Sequence, residues 1–71
     1  MQELKIGGIY RHYKGNLYKV LTVAKHSETE EELVVYEALY ENGRIWARPK
    51  KMFLEQVTVN GKLLNRFSLI E

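Results

Sequence analysis

The sequence predicts a mostly-β fold: a small SH3-like barrel of about five short strands with one short helical turn. Asn and Gly are adjacent at Gly15-Asn16, Asn42-Gly43 and Asn60-Gly61, and such pairs are typical of two-residue hairpin turns. Short apolar or alternating runs flank each pair, as expected for a meander of hairpins. The 71 residues form one domain, residues 1–71, and so small a sheet covers its edges best by curling into a barrel.

The three predicted turns each set a hairpin register. In the first hairpin the predicted pairs are Tyr13–Tyr18 and Arg11–Val20. In the middle hairpin they are Glu41–Arg44, Leu39–Trp46, Glu37–Arg48, Tyr40–Ile45 and Ala38–Ala47. In the last hairpin they are Val59–Lys62, Thr58–Leu63, Val57–Leu64 and Glu55–Arg66. The middle register separates a face with two opposite-charge pairs from an apolar face, and a slip of one residue would exchange the faces.

Residues 28–41 carry two competing signals. Ser27 to Glu30 fits a helix capping box, and Gly43 fits the residue that follows a helix. Against this, Val34-Val35-Tyr36 favours a strand, and a helix would make the charge register across the middle turn a coincidence. The prediction is a strand preceded by one helical turn near residues 28–32. The alternatives are an OB-like barrel and an α+β fold with a helix at about 28–41.

Pro49 marks the end of the next predicted strand. Proline has no N–H to donate to a sheet, so the strand that contains Trp46 should stop there. Residues 50–54 then leave room for a short 3₁₀ or helical turn before the last hairpin.

Composition excludes several classes of protein. The chain has no cysteine, so it contains neither a disulfide nor a thiolate metal site. No apolar run approaches about 20 residues, and the segment Met1 to Lys5 lacks the apolar region of a signal peptide. A cytoplasmic protein is therefore expected. The net charge of +2 does not by itself indicate nucleic acid.

Four strings in this order resemble the bacterial family catalogued as domain of unknown function 1653. They are Gly8 to Gly15 (GIYRHYKG), Ala24 to Thr29 (AKHSET), Leu33 to Tyr36 (LVVY), and Trp46 to Pro49 (WARP) followed by Met52-Phe53. The resemblance covers roughly residues 7–67. It implies a small β-rich barrel and a strand over residues 33–41. It implies no activity and no catalytic residue, since no activity is established for the family.

Trp46 is the strongest single candidate for a ligand contact. In the predicted register it lies between Arg44 and Arg48 on the charged face of the middle hairpin. An aromatic ring flanked by guanidinium groups can stack a base and neutralise a phosphate. The structural alternative is that Glu37 and Glu41 neutralise both arginines while the indole packs on the protein.

Residues 10–14 interleave aromatic and basic side chains, as single-strand nucleic-acid platforms do. Only alternate residues of a strand share a face, and one of the two sets should belong to the core. The candidate ligand contacts here are Arg11, His12 and Tyr13. The alternative is an ordinary half-buried strand.

His26-Ser27-Glu28-Thr29 contains the residue types of hydrolase triads, but adjacent loop residues rarely form such a hydrogen-bonded chain. A capped loop is the preferred interpretation, with His26 and Glu28 kept as tentative ligand contacts. Two histidines at no recognised spacing predict neither a metal site nor a cofactor. An enzyme would need His12, His26 and Glu28 to converge on one cleft.

The sequence therefore predicts a non-catalytic binding or accessory module. A protein-interaction domain is the first choice, working through an exposed edge strand or the acidic cluster of residues 28–32. The alternative is a nucleic-acid or nucleotide-binding module that uses Trp46, Arg48 and Arg11. No membrane contact is expected, and the oligomeric state is not predicted.

Overall fold

The computed structural model describes residues 4–71 and shows a mostly-β fold with one short helix. Residues 1–3, which belong to the N-terminal segment considered above, lie outside the described residues. The elements are β1 (Ile9–His12), β2 (Leu17–Lys25), β3 (Glu32–Ala38), β4 (Ile45–Pro49), α1 (Lys50–Phe53), β5 (Gln56–Val59), β6 (Lys62–Asn65) and β7 (Phe67–Leu69). The mostly-β prediction is confirmed, with seven strands in place of about five.

Five strands form one antiparallel sheet in the order β4-β3-β2-β1-β7, and β5 pairs with β6 in a separate two-stranded sheet. Strands β4 and β7 are the two edges of the larger sheet. Within residues 4–71 no ladder joins these edges to each other or to the small sheet. Closure into an SH3-like barrel therefore stays a prediction.

The last hairpin has the predicted register. Val57 lies opposite Leu64, Thr58 opposite Leu63 and Val59 opposite Lys62. Asn60 and Gly61 both adopt positive φ angles, 50° and 79°, as a primed two-residue turn requires. The predicted Glu55–Arg66 pair is also present, with Nη2 of Arg66 2.9 Å from Oε1 of Glu55.

The predicted registers of the first two hairpins are wrong by three residues. Tyr10, not Tyr13, lies opposite Tyr18, and Tyr36 lies opposite Trp46. An odd slip changes which residues share a face. The observed pairing places the fully buried Tyr10, Val20 and Val34 on one side of the sheet. The free energy gained by burying these three side chains exceeds the free energy that tight two-residue turns would contribute.

The predicted strand is present as β3, which spans Glu32–Ala38 and so ends before residue 41, and the helix alternative for residues 28–41 is wrong. A single turn precedes it, in which the Glu30 N–H donates to the His26 carbonyl at 2.9 Å. Pro49 ends β4 and α1 begins at Lys50, as predicted.

The core lies on one face of the larger sheet and is rich in aromatic rings. Its buried members are Tyr10, Val20, Val34, Tyr36, Phe53 and Phe67. The helix α1 contributes Phe53, whose ring stacks on Phe67 with centroids 4.0 Å apart and planes 5° from parallel. The helix therefore covers one end of the core face and leaves the other end open.

In residues 4–71 the only helix is far too short and polar to span a bilayer.

Candidate functional site

The open end of the core face is lined by aromatic rings that contact one another edge to face. Tyr18 is the centre of this group, with ring centroids 5.4 Å from Tyr36, 5.6 Å from Tyr40 and 5.6 Å from Phe67. Such pairs contribute roughly 0.5–1.5 kcal/mol each beyond burial, so the rings hold one another in place. The result is a rigid floor on which a ligand can rest.

A shallow groove of about 200 Å³ opens above this floor. We call it the aromatic groove; its lining residues are Tyr18, Tyr36, Tyr40, Trp46 and Arg48. Trp46 lies on the edge strand β4 and is 48% exposed. An indole this exposed has a free surface for a flat ligand.

Arg48 lies on the same side of β4 as Trp46, as the alternation of a strand requires. Its Nε donates a long hydrogen bond of 3.4 Å to the Tyr36 hydroxyl, and its guanidinium carbon lies 5.9 Å from the centroid of Phe67. Cation–π contact orients the guanidinium but leaves its charge without an anion.

The ion pair predicted between Arg48 and Glu37 does not form. Glu37 lies opposite Ile45, on the other face of the sheet, and Val34 lies opposite Arg48. Across residues 4–71 the ion pairs are Lys50–Glu32 and Arg66–Glu55, and neither involves Arg48. The groove therefore holds a cation without a carboxylate partner in the described part of the chain.

The hydroxyls of Tyr18 and Tyr40 are 2.8 Å apart and form a hydrogen bond at the groove wall. Burial raises the pKa of Tyr18 to about 12, and the hydrogen bond to Tyr40 adds to the shift. Tyr18 thus keeps its proton at neutral pH. It brings no negative charge that would repel an anionic ligand from Arg48.

A second depression of about 140 Å³ adjoins the first and shares two of its residues, Tyr40 and Trp46. We call it the Arg44 groove; its lining residues are Ala38, Tyr40, Glu41, Asn42, Arg44 and Trp46. Trp46 therefore stands between two open grooves, with one arginine in each.

His12 borders the aromatic groove from β1. Its ring lies 5.0 Å from Phe67 and 6.5 Å from Tyr18, and its Nδ1 accepts the Lys14 N–H at 3.1 Å. Burial lowers the pKa of His12, and the charges of Arg48, Lys14 and Arg66 lower it further. His12 is therefore a neutral aromatic wall at pH 7.

Two of the other predicted contacts lie away from the grooves. Arg11 is exposed on the outer face of β1, because alternation with the buried Tyr10 directs it away from the core. Tyr13 follows β1 in the turn, where its N–H donates to the Arg66 carbonyl at 2.9 Å. The structure thus separates Arg11 and Tyr13 from Trp46 and Arg48.

His26 and Glu28 also line neither groove. They follow β2, whereas His12 precedes it, and the nine residues of β2 span about 30 Å. The Nδ1 of His26 accepts the Glu28 N–H at 3.1 Å and the Thr29 N–H at 3.4 Å, so the ring caps the loop. Within the described part of the chain, His12 therefore lies at one end of β2 and His26 and Glu28 at the other.

Among the described residues no three His, Cys, Asp or Glu side chains are grouped as a metal site.

Sequence reasoning missed three residues of the aromatic groove: Tyr18, Tyr36 and Tyr40. The alternation Val34, Tyr36, Ala38 is the signal that could have placed Tyr36 on the core face.

Residues 8–69 match the family described as "Protein of unknown function (DUF1653)". The chain belongs to the DUF1653 family. A crystal structure of a protein belonging to DUF1653, from Bordetella bronchiseptica, is similar to this DUF1653 domain with a TM-score of 0.85. The two are 35% identical, over 99% of this chain and 91% of the other.

Among curated proteins, no sequence matches this DUF1653 domain. Family membership therefore establishes the fold of the domain without naming a ligand, a partner or a reaction.

Proposed function

We propose that this DUF1653 domain is a non-catalytic binding module for a nucleic acid or nucleotide. Trp46 stacks a base and Arg48 holds the neighbouring phosphate. The observation that carries the proposal is the half-exposed indole beside an arginine that has no carboxylate partner within residues 4–71. The cytoplasm is the compartment that the cysteine-free sequence favours.

This proposal reverses the order of the two functions predicted from the sequence. The protein-interaction function came first on the acidic cluster of residues 28–32 and an exposed edge strand, while Glu37 and Glu41 were the expected partners of the arginines beside Trp46. The observed register removes Glu37 from that face, so the basic character of the groove is retained.

The chemistry of the groove matches the two parts of a nucleotide. Stacking of a base on an aromatic side chain contributes about 1–3 kcal/mol. A guanidinium binds phosphate through charge-assisted hydrogen bonds, about twice as strong as neutral ones. Tyr18 keeps its proton, so it adds no negative charge that would oppose this attraction.

A titration of the ¹⁵N-labelled protein tests the proposal. Mixed single-stranded DNA and RNA oligonucleotides are added first, and nucleotides second. We expect shifts at the Trp46 indole N–H and at the backbone amides of residues 46–48. Trp46→Ala should weaken binding about tenfold or more, the lower part of the stacking range.

Arg11 offers a matched control for Arg48. Arg11→Gln and Arg48→Gln remove the same charge, but Arg11 lies on the outer face of the sheet. We expect only Arg48→Gln to weaken binding. Equal effects of the two substitutions would show a general charge effect and contradict the site. Spectra that do not change at millimolar ligand would contradict the proposal itself.

A protein partner is the second candidate, favoured by the exposure of β4. This strand is an edge of the larger sheet, and Ile45 on its other face is 61% exposed. An extended peptide can pair with such an edge as an additional strand. Ile45→Lys should abolish peptide binding while leaving nucleotide binding intact, because Ile45 lies across the sheet from Trp46. If Ile45→Lys abolished both peptide and nucleotide binding, the two ligands would not bind to separate surfaces.

A further inference from the structure

We infer that the ligand of this site is a single strand of nucleic acid that runs along β4. Arg44 and Arg48 each hold one phosphate, and Trp46 stacks a base that lies between these phosphates. The inference rests on the proposed function and names its ligand class.

The geometry of β4 places three side chains in line. Trp46 and Arg48 alternate with Ile45 and Ala47 in β4, so they share one side, and Arg44 immediately precedes the strand. Trp46 lines both grooves, Arg44 lines the first and Arg48 the second. At about 3.3 Å per residue, Trp46 and Arg48 are about 7 Å apart along β4, and Arg44 adjoins Trp46 in the other groove. Two arginines therefore flank one stacking surface, the indole of Trp46.

A strand of nucleic acid fits this line better than a free nucleotide does. A mononucleotide carries phosphate on one side of its base only and can engage one arginine. In a strand, each internal base has a phosphate on either side. The grooves, of about 140 and 200 Å³, are also smaller than the roughly 300 Å³ at which enclosed ligand pockets begin. Because β4 is a sheet edge, a chain can enter one groove and leave by the other.

A single strand fits better than a duplex. In a duplex the faces of the bases are stacked on one another, and exposing one to Trp46 costs a few kcal/mol. The net charge of +2 supplies little of the general attraction that could offset this cost.

Glu41 makes the two ends of the line unequal. It lines the Arg44 groove together with Asn42, whereas among residues 4–71 no carboxylate lines the aromatic groove. A carboxylate near Arg44 weakens the attraction for phosphate there. Arg48 is therefore the stronger phosphate contact. Arg44 is contacted by a nucleic-acid strand but not by a mononucleotide.

The test uses the fluorescence of Trp46, which is the single tryptophan of the chain. The probes are thymidine monophosphate, a short oligothymidylate, and the same oligomer annealed to its complement. We expect the oligomer to bind at least about tenfold more tightly than the monophosphate, because it adds a second phosphate contact and further stacking. The duplex should bind more weakly than the oligomer.

The salt dependence of the binding constant reports how many phosphates the protein contacts. Two contacts on a single strand predict a slope of log K against log salt of about −1.4, at about −0.7 for each phosphate. Arg44→Gln and Arg48→Gln should each reduce the slope to about −0.7, and Arg11→Gln should leave it unchanged. For the monophosphate, Arg48→Gln should weaken binding and Arg44→Gln should not.

The outcomes separate the inference from the function on which it rests. Equal affinities for the monophosphate and the oligomer would contradict the inference that the ligand is a nucleic-acid strand, but would agree with nucleotide binding. Duplex binding as tight as that of the oligomer would overturn single-strand selection. If no probe changes the fluorescence and the ¹⁵N spectra also stay unchanged, the proposed function fails as well.

Discussion

At the scale of single residues, the side of β4 on which a residue lies decides its chemistry. Trp46 and Arg48 share the core side with Tyr36, while Ile45 and Ala47 share the outer side with Glu37 and Val35. Strand alternation predicts from sequence that residues 44, 46 and 48 lie together. It does not predict what faces them, because that depends on the register with β3.

His12 predicts a pH dependence of stability. Its pKa is lowered from the ordinary 6.5 by burial and by Arg48, Lys14 and Arg66. As the pH falls through 6.5, the unfolded chain takes up a proton before the folded protein does. The free energy of unfolding should therefore decrease below about pH 6.5 and be constant, as far as His12 is concerned, above it.

Urea unfolding at pH 7.5 and pH 5.5 measures this effect. His12→Gln should lose the decrease between the two pH values, and His26→Gln, which retains His12, should keep it. An unchanged decrease in His12→Gln would show that other groups cause it.

At the scale of elements, one buried side chain anchors the short helix α1 to the core. Phe53 is its buried residue and contacts Phe67, Tyr10 and Tyr36. Phe53→Ala should lower the free energy of unfolding by about 3–5 kcal/mol, as expected for a buried Phe. Phe53→Leu keeps more of the volume and should cost less.

Met52 is the matched control in the same helix, because it is 41% exposed. Met52→Ala should change the free energy of unfolding by at most about 0.5 kcal/mol in urea unfolding. Similar losses for Met52 and Phe53 would mean that helix propensity, and not the core contact, holds α1.

The hairpin β5–β6 should open more readily than the centre of the larger sheet. It is a two-stranded sheet with no fully buried residue, whereas β3 contains the buried Val34, Tyr36 and Ala38. Two-stranded hairpins are marginally stable in water by themselves. We expect amide hydrogen exchange at least about tenfold faster in β5–β6 than in β3. Equal protection would show that the hairpin opens only with the whole molecule.

At the scale of the whole molecule, the core face carries the buried Phe53 and Phe67 and, beside Phe67, the open aromatic groove. A ligand in the aromatic groove completes the coverage of this face and binds only the folded state. At 100 times the dissociation constant it should stabilise the fold by about 2.7 kcal/mol. For a domain of this size that is a rise in Tm of roughly 10–20 °C.

Thermal unfolding with and without the oligothymidylate measures this rise. Arg11→Gln should retain it, and Trp46→Ala should lose most of it at the same ligand concentration. A rise that persists in Trp46→Ala would place the ligand elsewhere on the molecule.

Local chemistry in the sequence determined the fold class, the register of the Asn60-Gly61 hairpin and the end of β4 at Pro49. It also placed Trp46 and Arg48 on one side of a strand, with Arg44 just before it. Each of these follows from a turn residue, a missing N–H or strand alternation, all of which act over a few neighbouring residues.

Only the tertiary structure decided the registers of the first two hairpins, and with them the aromatic groove. Doubling the length of a loop costs only about 0.6 kcal/mol. Burying a large apolar side chain contributes about 1.5–3 kcal/mol. The demand to bury Tyr10, Val20 and Val34 together therefore overrides the turn preferences of Gly15-Asn16 and Asn42-Gly43. The observed register differs by three residues from the one that the turns predict. It places tyrosines beside Trp46 and Val34 opposite Arg48.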